Sequence, residues 1–460
     1  MSTFFETQSH HDGDQAELAE RHSLRRVIGM RTELEDISEV EYRQLRLERV
    51  VLISVWTFGT QEDADNAMAE LKMLAETAGS EVLEALVQRR SQPDPATYIG
   101  RGKVEEVADV VRVTGADTVV CDGELQPAQL RNLEDRIRVK VVDRTALILD
   151  IFASHAKSAE GKAQVELAQL QYLKQRLRGW GGNLSRQAGG RAGIGGRGPG
   201  ETKLETDRRR IHHRIAQLRR RLRDMDVTRE SKRAERRRNR VPSVAIVGYT
   251  NAGKSSLLNR LTGAGVLVED ALFATLDPTT RRTETRDGRV FTLTDTVGFI
   301  RHLPHDLVEA FRSTLEESTT ADLLLHVVDA SDPDPEGQIA AVRQVLGEIG
   351  AGDVPELLVC NKADRADDAT LLALRAGHPG CVVVSARTGQ GLEELADALE
   401  TKLPNPEVQV ETLIPYSRGD LMDRIHRTGT IEALEHTGDG TKVRARVHPG
   451  LAEELSEYGV

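Results

Sequence analysis

Aromatic residues are scarce in this 460-residue sequence: eight Phe, six Tyr and two Trp, 3 % of the chain. So thin a supply argues against gripping single-stranded nucleic acid by stacking bases on rings. Cysteine is scarcer still. Cys121, Cys360 and Cys381 lie far apart, each inside an apolar, strand-like run and without metal-ligand spacing. That excludes a disulfide framework or a zinc knuckle and leaves three buried, reduced thiols as the expectation. No apolar run approaches the roughly 20 residues a spanning helix needs, and the start MSTFFETQSHHDGDQAELAE has no basic segment followed by an apolar one. The expected chain is neither secreted nor inserted in a membrane, and works in the cytoplasm.

What is present is unevenly spread. Ten of the 22 residues from Gly179 to Gly200 are glycine, a stretch from which no packed core can be built. From Lys174 to Arg240, 22 Lys and Arg stand against 7 Asp and Glu, a local charge of +15. The remainder must then carry −26 to reach the overall −11. Such polarisation suits one face for a polyanion; a solvated helix surface is the plainer alternative.

Length alone predicts about three domains, and composition supplies the seams. Residues 1–45 read as a disordered or partly helical extension. From 46 to about 156, buried strands (VVLISVW, VLEALVQ, DTVVCD, VKVVD) alternate with helices, one opened by Pro127, which predicts a small parallel α/β domain. Over 157–240 the period changes. Leu167, Leu170, Leu173 and Leu177 mark one apolar stripe; Leu204, Ile211, Ile215, Leu218, Leu222 and Met225 mark another. Each is too narrow for a globular core, so the prediction is two long antiparallel helices packed along a seam, with 179–200 as the hairpin tip. Residues 241–405 return to strand-helix alternation, and 406–460 read as strand, helix, strand, strand, a small α+β domain. The fold class is α/β, multidomain.

The chemistry sits in the third segment. Gly248-Tyr249-Thr250-Asn251-Ala252-Gly253-Lys254-Ser255 fits GxxxxGK[ST] between an apolar strand and a helix (SSLLNRL). Glycines let backbone N–H groups face a β-phosphate, the helix N-terminus adds its dipole, Lys254 neutralises β/γ oxygens and Ser255 offers a hydroxyl to Mg²⁺. Asp295, Thr296, Val297 and Gly298 form DTVG after a strand, as expected for an aspartate that holds Mg²⁺ through water and a glycine amide facing a γ-phosphate. Asn361, Lys362, Ala363 and Asp364 end another strand as NKAD, and Ser385, Ala386 and Arg387 end a further one. Asp364 can accept two hydrogen bonds from guanine N1–H and its exocyclic amine, which adenine does not offer there. These residues predict GTP and GDP as ligands and Mg²⁺ as cofactor.

The order of these motifs resembles the translation-factor class of GTPases, and Phe273, Ala274, Thr275, Leu276 and Asp277 match the FATLD of the HflX family. The resemblance implies Thr275 as the switch I threonine that binds Mg²⁺ and senses the γ-phosphate, with Thr280 the alternative ligand. Phe299 stands where Ras-type proteins carry a catalytic glutamine. It cannot orient water, so slow intrinsic hydrolysis awaiting a partner's stimulus is expected, and no catalytic base is named.

The tip loop now has a use. Glycine permits close approach to a phosphate backbone, and Arg186, Arg191 and Arg197, followed by Lys203, Arg208, Arg209 and Arg210, are candidate RNA contacts. With Trp180 alone at its edge, the loop suits structured RNA read by shape. GGRAGIGGRGPGETKLETDRRRI, LDIFASHAKSAEGKAQVELAQLQYLKQRLRG, YIGRGKVEEV and DGELQPAQLRNLE all resemble HflX segments, so the likeness covers about 50–405. It implies a stress-serving GTPase that binds the large ribosomal subunit as its GTP form, near the peptidyl-transferase region, splits stalled or idle ribosomes, and leaves on hydrolysis; a monomer is expected because no exposed apolar seam is evident beyond the paired helices. A ribosome-assembly factor, or a switch whose partner is another protein, are the competing readings. Tyr98–Lys103, YIGRGK, is either a second nucleotide site, for ATP, or an ordinary strand-to-helix turn.

Overall fold

The structure is a computed structural model and describes residues 49–177, 199–238, 241–263, 271–286, 289–301, 307, 311–404, 408–447 and 449–459. The expected 1–45 extension and the loop with Trp180, Arg186, Arg191 and Arg197 lie outside them.

RVVLISVW forms strand β1, Arg49–Trp56, in which Val50 to Ile53 have no exposure. A strand apolar on both faces belongs inside a parallel sheet covered on both sides. Its partners are β2 (Glu81–Arg89), β3 (Thr118–Cys121) and β4 (Lys140–Asp143), all parallel, in the order β2-β1-β3-β4. Helices α1 (Gln61–Thr77), α2 (Arg101–Thr114), α3 (Pro127–Ile137) and α4 (Arg144–His155) alternate with them. Pro127 takes the first position of α3, where its missing N–H costs nothing, and Gln126 and Gln129 close a capping box. Strand β2 departs from expectation. It is half-exposed along its length rather than buried, because it is the edge of the sheet and has a strand on one side only.

Two long helices follow, α5 (Ala159–Leu177) and α6 (Pro199–Arg238). The predicted stripes are buried at Leu167, Leu170 and Leu173 and at Ile211, Ile215 and Leu218. Burial of α5 is wider than one stripe, however, and runs unbroken from Ala163 to Ala168. Glu166 and Arg214 join the helices through two bonds, Nε to Oε1 at 2.5 Å and Nη2 to Oε2 at 3.0 Å. Lys203 lies on α6, and Arg208, Arg209 and Arg210 are exposed along it.

The nucleotide motifs fall on a six-stranded sheet. It is built from β5 (Ser243–Gly248), β6 (Thr279–Glu284), β7 (Val290–Asp295), β8 (Leu323–Asp329), β9 (Glu356–Asn361) and β10 (Val382–Val383), in the order β10-β9-β8-β5-β7-β6. All pairs are parallel except β6 with β7. Between the strands run α7 (Lys254–Thr262), α8 (Arg312–Thr319), α9 (Pro335–Glu348), α10 (Asp368–Gly377) and α11 (Leu392–Lys402). Cys121 and Cys360 are buried as expected; Cys381, just before β10, is only half-buried.

The C-terminal segment forms an antiparallel sheet, β11 (Val408–Ile414), β13 (Thr441–Val447) and β12 (Thr430–His436) in that order, with α12 (Gly419–Thr428) and an additional α13 (Pro449–Leu455). Alternation along β13 sends Val443, Ala445 and Val447 into the core with Leu421, Ile425, Leu451 and Leu455, while Lys442 and Arg444 pair outside with Glu411.

The chain divides into two compact units. One draws on Met1–Gly59, Leu74–Ser154 and Leu173–His213; the other on Thr60–Met73, His155–Tyr172 and Arg214–Val460. Most of α1 and most of α5 thus belong to the same unit as the nucleotide-motif sheet. Among the described residues no helix is long and apolar enough to cross a membrane.

Candidate nucleotide-binding site

Apolar β5 delivers the chain to the turn Gly248–Gly253, which α7 continues. Gly248 has φ +150° and Gly253 φ +91°. A Cβ on the first would strike the carbonyl of Val327, and on the second the amide of Asn361, so both positions require glycine for space as well as for backbone. Gly298 is equally confined: a Cβ there would lie 2.8 Å from Thr250 Cα and 2.9 Å from Lys254 Nζ. Together Thr250, Asn251, Gly253, Lys254, Ser255, Ser256, Ala271, Phe273, Ala274, Thr275 and Gly298 line a cleft of about 440 Å³.

Lys254 is buried at its floor and donates to the carbonyls of Gly248 (3.2 Å) and Tyr249 (2.8 Å). Burial pushes its ammonium down to about 8, against the attraction of Asp295. Asp295 moves the opposite way, its carboxyl raised by burial against the pull of Lys254.

Three oxygens converge where a divalent ion would be held. Ser255 Oγ donates to Asp295 Oδ2 at 2.5 Å and lies 2.9 Å from Thr275 Oγ1. Asp295 Oδ1 is buried without a hydrogen-bond partner. An orphaned carboxylate oxygen beside two hydroxyls is a hard-donor set of the kind Mg²⁺ takes, so these residues fit the ion. Thr280 is elsewhere: it sits on β6 with its hydroxyl 3.0 Å from that of Thr294.

At the other end Asn361 ties three motifs together, donating to Ala252 O (2.8 Å) and accepting from Ala386 N (3.0 Å). Lys362, at φ +61°, pairs with Asp329 at 2.7 Å. Asp364 accepts from Ser385 Oγ at 2.6 Å and from Arg387; the Ser385 bond, first, and Arg387 hold its carboxyl below the ordinary range. Ala363 is buried among these residues. Arg260, which no motif marked, clamps the Ser385–Arg387 turn from α7 through Ala386 O (2.7 Å) and Arg387 O (2.5 Å). Ser256 and Ala271 were likewise unmarked, since a lining residue that offers only its backbone or a small side chain leaves no sequence signal.

Several expected contacts are not among the residues that line the cleft. Leu276 is buried, Thr296 donates to Ile246 O (2.7 Å), and Val297 is buried. Asp277 turns its carboxylate to Lys157 N (3.1 Å), Ser158 N (2.8 Å) and the Ser158 hydroxyl. Phe299 is fully buried, donates its N–H to Gly248 O (3.1 Å) and accepts from Thr250 N (2.7 Å), which pins it to the turn. In YIGRGK, Gly100 N donates to Gln88 Oε1 (2.7 Å) and Lys103 pairs with Glu106 (2.8 Å), the arrangement of a strand-to-helix turn.

The comparisons agree with this geometry. Residues 65–153 match the GTP-binding GTPase N-terminal family, 155–236 the GTP-binding GTPase Middle Region, and 243–362 the 50S ribosome-binding GTPase family. GTPase HflX of Lacrimispora saccharolytica is 49 % identical over 427 residues, 93 % of this chain and 98 % of that protein. GTPase HflX of Escherichia coli K12 is 47 % identical over 86 % of this chain and 92 % of its own length. A crystal structure of a GTP-binding protein from Sulfolobus solfataricus in complex with GDP aligns with 77 % of this chain and 98 % of that one, at 26 % identity and a TM-score of 0.40. Likeness to the two HflX proteins over 93 % and 86 % of this chain, with a GxxxxGK[ST] turn at the mouth of the cleft, leads to one conclusion: the chain belongs to the HflX family and is a GTPase.

Proposed function

We propose that this GTPase binds the large ribosomal subunit in its GTP form, splits stalled or idle ribosomes, and is released by hydrolysis. The observation that carries the reading is the charge on α6, with Arg208, Arg209 and Arg210 exposed, in a chain that is acidic elsewhere. A polyanion is the partner such segregation favours. The description of the family matched over 243–362 points to the same particle.

In this reading the turn amides and Lys254 hold the β/γ-phosphates, and phosphate offsets the desolvation that lowers the Lys254 ammonium. Asp364 reads the guanine edge with Ser385 and Arg387 behind it. Ser255, Thr275 and, through water, Asp295 would hold Mg²⁺, which when bound would spread the charge developing on the transferred phosphate. Thr275 and the Gly298 amide report the γ-phosphate to the switches. Phe299 places a buried ring where a water-orienting amide would be needed, so the bare protein turns over slowly and the ribosome supplies the missing group.

The test is sedimentation of intact ribosomes with the protein and GDP, GTP or a non-hydrolysable GTP analogue. Subunits appearing with the analogue, and the protein travelling with the large one, are expected. Binding confined to isolated immature large subunits, with intact ribosomes left whole, replaces the reading with one of ribosome assembly.

A further inference from the structure

Gly161 is out of place by local rules. It sits in the first turn of α5, where glycine is a poorer helix former than alanine. Space explains it: a Cβ on Gly161 would collide with Asp277 Oδ1 and come within 3.2 Å of Ser158 Oγ. Ser158 is the cap of α5, its hydroxyl accepting from Gly161 N at 2.8 Å. Asp277 caps that cap, taking Lys157 N, Ser158 N and the Ser158 hydroxyl together. Three donors on one carboxylate make a strong, directional joint.

The other end of the same short segment is at the cleft. Thr275 is two residues before Asp277 and meets Ser255 at 2.9 Å. Leu276 between them is buried, and so is Phe273, held at φ +56°. A segment pinned at both ends and buried between does not move at one end alone.

We infer that Asp277 and Ser158 tie switch I to the first turn of α5, so that the closed position of Thr275 and the capped state of α5 are one state. The inference rests on the reading of Thr275 as the residue that senses the γ-phosphate. Departure of Thr275 from Ser255 pulls Asp277 off Lys157 and Ser158 and uncaps α5. Linkage makes the effect reciprocal: whatever favours the capped turn favours GTP over GDP by the same factor. From α5 the joint continues to α6 through Glu166 and Arg214.

Gly161→Ala in the full chain tests this, because alanine favours the helix and opposes only the joint. Affinity for a non-hydrolysable GTP analogue with Mg²⁺ should fall about tenfold, the loss of roughly one charge-assisted hydrogen bond. GDP affinity should stay within about twofold, a selectivity that general destabilisation of the fold would not produce. In the parent chain, hydrogen exchange over 155–163 should be slower with the analogue than with GDP. Equal exchange in the two states, or an unchanged analogue-to-GDP affinity ratio in Gly161→Ala, overturns the inference. Thr275→Ala locates such a failure. A ratio that collapses in Thr275→Ala but not in Gly161→Ala removes the tie alone, whereas a ratio unmoved by either removes the reading of Thr275 as well.

Discussion

The hydroxyl of Tyr249, the second residue of the Gly248–Ser255 turn, donates to the carboxylate of Glu70 on α1 and accepts the backbone N–H of Arg301 at 2.7 Å. Both side chains are buried. One phenol thus holds together a helix, that turn and the segment after DTVG.

Tyr249→Phe removes that joint while keeping the ring. The expected cost is about 1–2 kcal/mol of stability, the loss of a buried hydrogen bond to a carboxylate. Thermal unfolding measures it, and Glu70→Gln combined with Tyr249→Phe should cost less than the two changes summed. Strict additivity would show the pair to be independent.

Asp364→Asn exchanges an acceptor for a donor at the base edge. Guanine N1–H and the exocyclic amine then face an N–H, so GTP affinity should drop by about two orders of magnitude, as for a site whose polar partners are mismatched. Xanthine carries oxygen where guanine carries the amine, and binding of XTP should improve. Competition between the two nucleotides reads this directly; an unaltered preference would remove Asp364 from base recognition.

Thr275 and Thr280 make opposite predictions. With Mg²⁺ present, Thr275→Ala should weaken GTP-analogue binding about tenfold or more, and chelation of the ion should erase the difference from the parent. Thr280→Ala, which loses a hydroxyl contact between β6 and β7, should leave the Mg²⁺ dependence as it was. The reverse pattern would move the ligand role to Thr280.

His326 predicts how stability responds to pH. Its side chain has no exposure, Nδ1 lies 2.5 Å from Glu356 Oε1, and Nε2 is buried without a partner. Burial holds it below its ordinary 6.5 in spite of Glu356. The folded state is therefore reluctant to take a proton that the unfolded chain accepts. Its stability contribution is complete above about pH 6.5 and is lost as pH falls below that value, until the folded pKa is passed. Melting temperatures between pH 7.5 and 5.5 should fall for the parent and fall less for His326→Leu; parallel slopes would discount the residue.

The sequence was most legible where chemistry dictates residue type. The turn Gly248–Ser255, DTVG, NKAD and the Ser385–Arg387 turn each lie at a strand end of one sheet, as their motif context required. Inner strands were legible for a related reason, as doubly buried runs such as RVVLISVW have few alternatives. The edge position of β2 was not, since periodicity reports burial and not strand order. Asp277 and Arg260 were also misread or missed. A carboxylate's destination and a guanidinium's backbone partners depend on tertiary contacts, here with Ser158 120 or so residues away in sequence and with Ala386, and no local pattern encodes them.

Helix α6 is 40 residues long, so at 1.5 Å per residue it runs about 60 Å, several times the roughly 8 Å over which physiological salt screens a charge. Counter-ions therefore cannot blend its positive charge with the acidic remainder, and the overall −11 is not the charge a partner meets at close range. An approaching polyanion meets the charge of the stretch of α6 nearest to it, and not the sum over the chain. Encounter with such a partner should be fast at low salt, and should slow steeply as salt rises, in a protein whose net charge alone would forecast repulsion.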